Sequence, residues 1–326
     1  MFLVFVMVII GFSLLLITLK IYIKLTTGWD RSHTCLVGKT AVVTGPDSGI
    51  GFYTTLDLAK RGARVIMACR NREDGEDARA KIIKITGNPN IVVKFYEATS
   101  FDSIRAFAKD FNETEERLDI LVNNAGMGTK ERLKTNDGCN VVMQVNYYSS
   151  FLLTHLLIDK LKASAPSRIV NVASILHKIA YLDSDDLDRY PKQFPLSFCV
   201  TYGNSKLGVV CFNIELARRL EGTGVTTNAL HPGFIFTNIF NEITGLQRII
   251  VAFFASICSK TPLEGAQTSI YLAVSPKVKN ISGQYFVDCA RENLSKEITR
   301  DHYLKKIWEN TEKIVRLSPD EKIIYK

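Results

Sequence analysis

The chain has 326 residues, 46% of them apolar and 23% charged, with a net charge of +8. That is enough for one large α/β domain with a sizeable core, and the basic balance suits an anionic membrane surface or an anionic cofactor. Nucleic acid is set aside because there is no dense basic run and no zinc-ligand spacing, and seven scattered cysteines (35, 69, 139, 199, 211, 258 and 289) without CxxC spacing argue for a reduced domain rather than a disulfide framework.

In chain order, Met1 to Leu19 comes first. It holds no charge, and only Gly11, Ser13 and Thr18 are not plainly apolar. As a helix it spans roughly 28 Å, close to a hydrocarbon core. No Lys or Arg precedes it, whereas Lys20, Lys24 and Arg31 follow it. It therefore reads as a retained transmembrane anchor (1–19) rather than a cleaved signal, with the domain on the cytosolic side. Residues 20–36 read as a stalk and 37–326 as one domain. On that topology the sequons at Asn112, Asn280 and Asn293 are chance occurrences.

The domain alternates short apolar strands with helices. Strands are predicted over 40–44, 63–68, 91–96, 118–122, 168–172, 226–230 and 284–287. Helices are predicted over 49–60, with Gly62 as its C-terminal cap, over 73–84, and over 303–315 as a surface helix. The alternation predicts an α/β fold: a single doubly wound parallel sheet of the Rossmann type with about seven strands.

Two motifs carry chemistry. The turn Gly45-Pro46-Asp47-Ser48-Gly49-Ile50-Gly51 joins the first strand to a helix. Its glycines permit a tight turn, close approach to a pyrophosphate and close helix packing, and the helix N-terminus offers free N–H groups to phosphate. At the end of the second strand, where NAD-binding folds place an acid, the chain reads Ala68-Cys69-Arg70-Asn71-Arg72, with no acid until Glu73. A fixed planar cation at Arg70 suits a 2′-phosphate, so NADP(H) is expected over NAD. The second motif is Tyr202-Gly203-Asn204-Ser205-Lys206. Four residues apart on a helix, Tyr202 and Lys206 share a face, and a nearby ammonium is expected to lower the phenol's pKa. No metal site is expected.

With these motifs, Leu121-Val122-Asn123-Asn124-Ala125-Gly126, Val145-Asn146, the run Ser167 to Ser174, and His231-Pro232-Gly233 complete a resemblance to the short-chain dehydrogenase/reductase family. Within it the chain is similar to the membrane-anchored, NADP-dependent retinol dehydrogenases. The resemblance implies catalytic roles for Asn146 (water in a proton relay), Ser174 (bond to the substrate oxygen), Tyr202 (general acid/base) and Lys206 (ribose ligand). It implies cofactor contacts at Asn124 and Ala125 on the adenosine side, and at Pro232, Gly233 and Thr237 on the nicotinamide side. It also implies an endoplasmic reticulum membrane location.

The chain departs from the family at Ala173, at Pro46-Asp47, at Glu97, which stands for an adenine-contacting aspartate, and in the loop Phe234-Ile235-Phe236-Thr237-Asn238. The apolar segment 246–258 takes the place of the family's substrate lid and suits a lipid substrate or a membrane surface. The leading expectation is an NADP(H) oxidoreductase acting on retinol or retinal. The alternatives are a steroid, isoprenoid or lipid-aldehyde reductase, and a non-catalytic membrane-tethered lipid or nucleotide binder. Expected partners are a lipophilic small molecule and the bilayer, with room for a homo-oligomer and none for nucleic acid.

Overall fold

The computed structural model describes residues 2–192, 197–235 and 259–325, with side chains from residue 10 onward except 12 and 13. The apolar N-terminal run forms helix α1, Phe2–Thr26, which continues past Leu19. At its C-terminal end the Thr26 and Thr27 hydroxyls donate to the Tyr22 (2.9 Å) and Ile23 (2.7 Å) carbonyls, and the Ile23 carbonyl also accepts the Thr27 N–H (3.0 Å). Its described apolar side chains point outward, with Leu14, Leu15, Ile21 and Leu25 all exposed.

The domain is built on β1 (Thr40–Thr44), β2 (Arg64–Cys69), β3 (Ile91–Phe95), β4 (Ile120–Asn123), β5 (Ser167–Val172), β6 (Val225–His231), β7 (Tyr285–Val287) and β8 (Ala290–Glu292). They form one sheet in the order β3-β2-β1-β4-β5-β6-β7-β8. Every pairing is parallel except β7 with β8. The eighth, antiparallel strand corrects the expectation of about seven parallel ones.

Strand residues alternate between two cores, as the pleat requires. Val42, Ile66 and Leu121 face one, and Val43, Met67 and Val122 face the other. The second core is covered by α2 (Gly49–Lys60), α3 (Arg72–Thr86) and α7 (Pro262–Val274). The first is covered by α4 (Phe101–Thr114), α5 (Val141–Ala163), α6 (Ser197–Arg219) and α8 (Asp301–Ile314). With both faces covered, the strands read as continuous apolar runs. α5 is long and apolar enough to cross a membrane, but 94% of its apolar window is buried in the domain, so it is a core helix. It contains a π-helical turn, Gln144–Tyr148.

The stalk is not a loose tether. Thr27 is buried, the Arg61 guanidinium donates to Asp30 Oδ2 (3.0 Å) and the Ser32 carbonyl (2.7 Å), and the Thr34 hydroxyl donates to the Val274 carbonyl (2.9 Å).

Candidate active site

The glycine turn joins β1 to α2 at the point where the sheet order reverses, between β1 and β4. In open α/β sheets that is where ligands bind. Gly45 (φ +62°) and Gly49 (φ +55°) hold left-handed backbone that glycine adopts without strain. Gly51 is required for closeness: a Cβ there would lie 1.9 Å from the Gly45 carbonyl oxygen and 2.6 Å from Asn124 Nδ2. The Asn124 amide locks the turn by donating to the carbonyls of Thr44 (2.9 Å) and Gly45 (3.0 Å). The Thr44 hydroxyl in turn accepts from the N–H groups of Asn124 (3.0 Å) and Ala125 (2.9 Å). Thr44 is legible from the sequence as the end of the first strand, but nothing there gives it this role in the turn.

Pro46, Asp47 and Ser48 lead into α2, and Ser48 makes no side-chain cap bond. The first N–H groups of α2, at Gly49, Ile50 and Gly51, have no carbonyl within the helix to bond, and they point the positive end of its dipole outward. Nothing lies within 4 Å of where a Gly49 Cβ would be, so the turn is open on that side. Arg70, one residue beyond β2 on the same edge, is exposed and has no hydrogen-bond or ion-pair partner among the described residues.

The second part of the site follows β5. Ser174 caps a short 3-10 turn, Ile175–Ile179, and its hydroxyl accepts from the Leu176 N–H at 3.3 Å. The Ser174 side chain lies beside the Tyr202 phenol and opposes the rise in its pKa. Lys206 is buried, and its Nζ lies 5.6 Å from the Tyr202 ring centroid and donates to the Val172 carbonyl at 2.9 Å. Two glycines of α6 make this possible. A Cβ on Gly203 would come within 2.8 Å of the Leu176 carbonyl oxygen, and one on Gly208 within 2.6 Å of the Tyr147 ring. The first lets the Ser174 turn settle on α6, and the second admits the π-helical turn that carries Asn146.

Asn146 is buried. Its Oδ1 accepts from the Met127 N–H (2.7 Å), and its Nδ2 donates to the Met127 carbonyl (2.9 Å) and Ser205 Oγ (2.8 Å). It ties the segment after β4 to α6. Ser205 lies between Tyr202 and Lys206, and the YxxxK spacing does not announce it.

Burial pushes the Lys206 ammonium down to about 8. It pushes the Tyr202 phenol up to about 12, against the opposing pull of Ser174. This corrects the expectation that Lys206 lowers the phenol. Desolvation is the larger effect, although Tyr202 is only half-buried, and the phenol is neutral at pH 7.

Pro232 and Gly233 follow β6. Gly233 has φ +92°, and a Cβ on it would meet Lys260 Cδ at 2.6 Å. Lys260 is buried, donates its N–H to the Phe234 carbonyl (2.8 Å) and ion-pairs with Asp288. Neither Lys260 nor Asp288 has a local sequence signal. Thr237 and the segment 246–258 lie outside the described residues. Glu97, read as the stand-in for an adenine-contacting aspartate, is engaged in its own turn: Oε1 accepts from the Thr99 N–H (3.0 Å) and hydroxyl (2.9 Å). A recess of about 220 Å³ lies at the opposite edge of the sheet, lined by Cys35, Asp119, Arg168 and Lys279, and no site residue borders it. The described cysteines are all free, and among the described residues no cluster of His, Cys, Asp or Glu could hold a metal ion.

A profile of the short chain dehydrogenases matches residues 39–183. Retinol dehydrogenase 14 of Homo sapiens is 41% identical over 296 residues, covering 86% of this chain and 87% of that protein. The chain belongs to the short chain dehydrogenase family. Retinol dehydrogenase 11 of Mus musculus is 41% identical over 91% of this chain and 93% of its own length. Dehydrogenase/reductase SDR family member 13 of Bos taurus is also 41% identical, over 89% of this chain and 77% of its own. Among solved structures, the RhlG/NADP complex of Pseudomonas aeruginosa matches with a TM-score of 0.62 at 26% identity, over 78% of this chain and 95% of that one. As a short chain dehydrogenase the protein is an oxidoreductase that works with a nicotinamide cofactor.

Proposed function

We propose that this short chain dehydrogenase is a membrane-anchored oxidoreductase that uses NADP(H) to interconvert a lipophilic alcohol and its aldehyde, with retinol and retinal as the leading pair. The observation that carries the catalytic part is the convergence of Ser174 and the buried Lys206 ammonium, 5.6 Å from the ring, on the Tyr202 phenol. When bound, NADP(H) supplies or accepts the hydride. The turn from Gly45 to Gly51 fits its pyrophosphate, because the open N-terminus of α2 offers N–H groups there. The family resemblance assigns the remaining cofactor contacts to Asn124, Ala125, Pro232, Gly233 and Thr237. Arg70, without a partner and with no acid before Glu73, suits a 2′-phosphate better than two free ribose hydroxyls.

The residues divide the remaining work. Tyr202 holds the proton that a substrate oxygen takes on reduction, and Ser174 supplies a second hydrogen bond to that oxygen. Lys206 is a buried ammonium with three N–H groups and one protein carbonyl on it, which leaves donors for a ribose hydroxyl. Asn146 holds the Gly126–Met127 backbone against α6, and so keeps Tyr202 and Lys206 in place beside the end of β4.

The anchor reading rests on α1, whose described apolar side chains are exposed along its length, and on the basic residues after it. The endoplasmic reticulum and a cytosolic domain follow from the family resemblance and that flank. The retinoid reading rests on relatives named retinol dehydrogenase. A second substrate reading, a steroid, isoprenoid or lipid aldehyde, draws on the equally similar family member 13 and on the divergent Phe234–Asn238 loop. The non-catalytic reading is disfavoured by the intact set Asn146, Ser174, Tyr202 and Lys206.

The test is reduction of all-trans-retinal, farnesal and a steroid ketone by the full chain with NADPH or NADH. Retinal turnover with NADPH is expected. Turnover confined to another carbonyl would move the substrate, and no turnover with any would favour the binder. Alkaline carbonate should leave the protein in microsomal membranes, and protease added outside should digest the domain. Glycosylation at Asn112 would overturn the topology.

A further inference from the structure

The stalk has to carry the chain from the end of α1 to the start of β1, and these two points lie at opposite edges of the sheet. α1 ends at the edge that bears the site. Lys24 ion-pairs with Glu264 in the first turn of α7, and Gly265 beside it is so close to the loop after β6 that a Cβ there would lie 2.0 Å from Ile235 Cδ1. Gly28 N–H donates to Asp288 Oδ1 (3.4 Å) in the turn directly after β7, and a Gly28 Cβ would overlap the Asp288 carbonyl at 1.9 Å. That same Asp288 holds Lys260 under Gly233.

From there the stalk runs the length of α7. Asp30 N–H donates to Gln267 Oε1 (3.3 Å), the Thr34 hydroxyl to the Val274 carbonyl (2.9 Å), and Leu36 N–H to the Arg61 carbonyl (2.9 Å). Val274 ends α7 at the far edge, where Arg168 near the start of β5 donates to the Ser275 carbonyl (2.9 Å). Roughly 3.3 Å per extended residue lets such a ten-residue segment cross the whole sheet. A chain tethered by a short linker would instead present the start of β1 to its anchor.

The edge beside the end of α1 is also apolar at its surface. Trp29, Ile175, Ile179, Tyr181 and Leu263 are all exposed there. Trp29 follows Lys20 and Lys24 in the chain, and Trp, Tyr and basic side chains are those that settle at a bilayer interface.

We propose that this edge of the domain rests on the bilayer, so that the end of the sheet carrying Ser174 and Tyr202 faces the lipid surface; the inference rests on α1 being the membrane anchor proposed above. A lipophilic substrate then reaches the site from the bilayer, and the N-terminal edge of the sheet faces water. The docked stalk fixes this orientation.

Tryptophan fluorescence tests it in the full chain, reconstituted in vesicles of phosphatidylcholine brominated high on its acyl chains. The protein has two tryptophans: Trp29, and Trp308, which is buried at 1% exposure and stays silent. In a Trp29→Phe background, single Leu263→Trp, Ile179→Trp and Val37→Trp substitutions place the probe at exposed sites. Val37, 74% exposed, is close to the anchor in sequence but sits at the far edge. Loss of fluorescence at Leu263→Trp and Ile179→Trp, with none at Val37→Trp, is the expected result. Quenching at Val37→Trp alone, or equal quenching at all three, overturns the orientation while leaving the anchor intact. Protein that fails to float with the vesicles sinks the anchor reading, and the orientation with it.

Discussion

Replacing Gly51 by alanine tests the reading of the phosphate turn most directly. The new Cβ would lie 1.9 Å from the Gly45 carbonyl oxygen, where ordinary contact begins at 3.4 Å, so the two must separate by about 1.5 Å. The carbonyl has little freedom to give. Asn124 donates to it at 3.0 Å, and a Cβ at Gly45 would already be 3.2 Å from Ala125 Cα, which shows how tightly that backbone is packed. Breaking the Asn124 bond costs ~1 kcal/mol, and the crowding adds ~1–3 kcal/mol. The sum, ~2–4 kcal/mol, should lower the melting temperature by roughly 5–10 °C for a domain of this size. A displacement of the phosphate cradle by more than 1 Å should weaken NADPH use by about 100-fold. Gly49→Ala is the control: it meets nothing within 4 Å and carries only the strain of φ +55°, about 1–2 kcal/mol. Thermal melts with and without NADPH, together with cofactor titrations of both variants, decide the matter. If Gly51→Ala melts and binds like the wild type, the turn is not packed as described and the cradle argument fails.

Tyr202→Phe should lower turnover by about 10²–10⁴ while NADPH binding stays within a small factor; a variant within about tenfold of wild-type activity would remove Tyr202 from the proton step. Arg70→Ala should raise the KM for NADPH by about 10–100-fold, the equivalent of a charge-assisted bond, and leave NADH unchanged. Equal rises for the two cofactors would place the 2′-phosphate elsewhere. Burial holds His155 and His231 down at about 4, against an ordinary 6.5. The unfolded chain therefore takes up protons between pH 6.5 and 4 that the folded chain refuses. The stability is fully present above 6.5 and is lost as pH falls through 4, by ~3 kcal/mol per histidine. Urea midpoints across that range should slope steeply in the wild type and less in His155→Gln, whereas a flat profile from pH 7 to 4 would refute the burial argument.

Local pattern was sufficient wherever neighbours along the chain impose the conformation. β1 and α2 begin and end where the apolar run and the glycines place them, because Gly45 and Gly49 need left-handed backbone that few other residues accept. Tyr202 and Lys206 were legible because a helix brings residues four apart onto one face. β8 was not legible: its turn uses Asp288 (φ +51°) and Cys289 (φ +60°) where a two-residue hairpin ordinarily signals itself with Asn-Gly. The extension of α1 through Thr26 was hidden by Lys20 and Lys24, which mark a flank in composition but sit readily in a helix.

The deeper divide concerns solvent. The sequence named Tyr202 as the acid and Lys206 as its neighbour, but it carried no information on how far each is removed from water. Burial sends the half-buried phenol up rather than down. The stalk obeys the same rule. Nothing within residues 27–36 specifies where they lie, and Arg61, Gln267, Val274 and Asp288, distant in the chain, hold them along α7. Backbone conformation and helix faces follow from adjacent residues, whereas desolvation and long-range contacts exist only once the sheet has closed and decided which side chains share an interior.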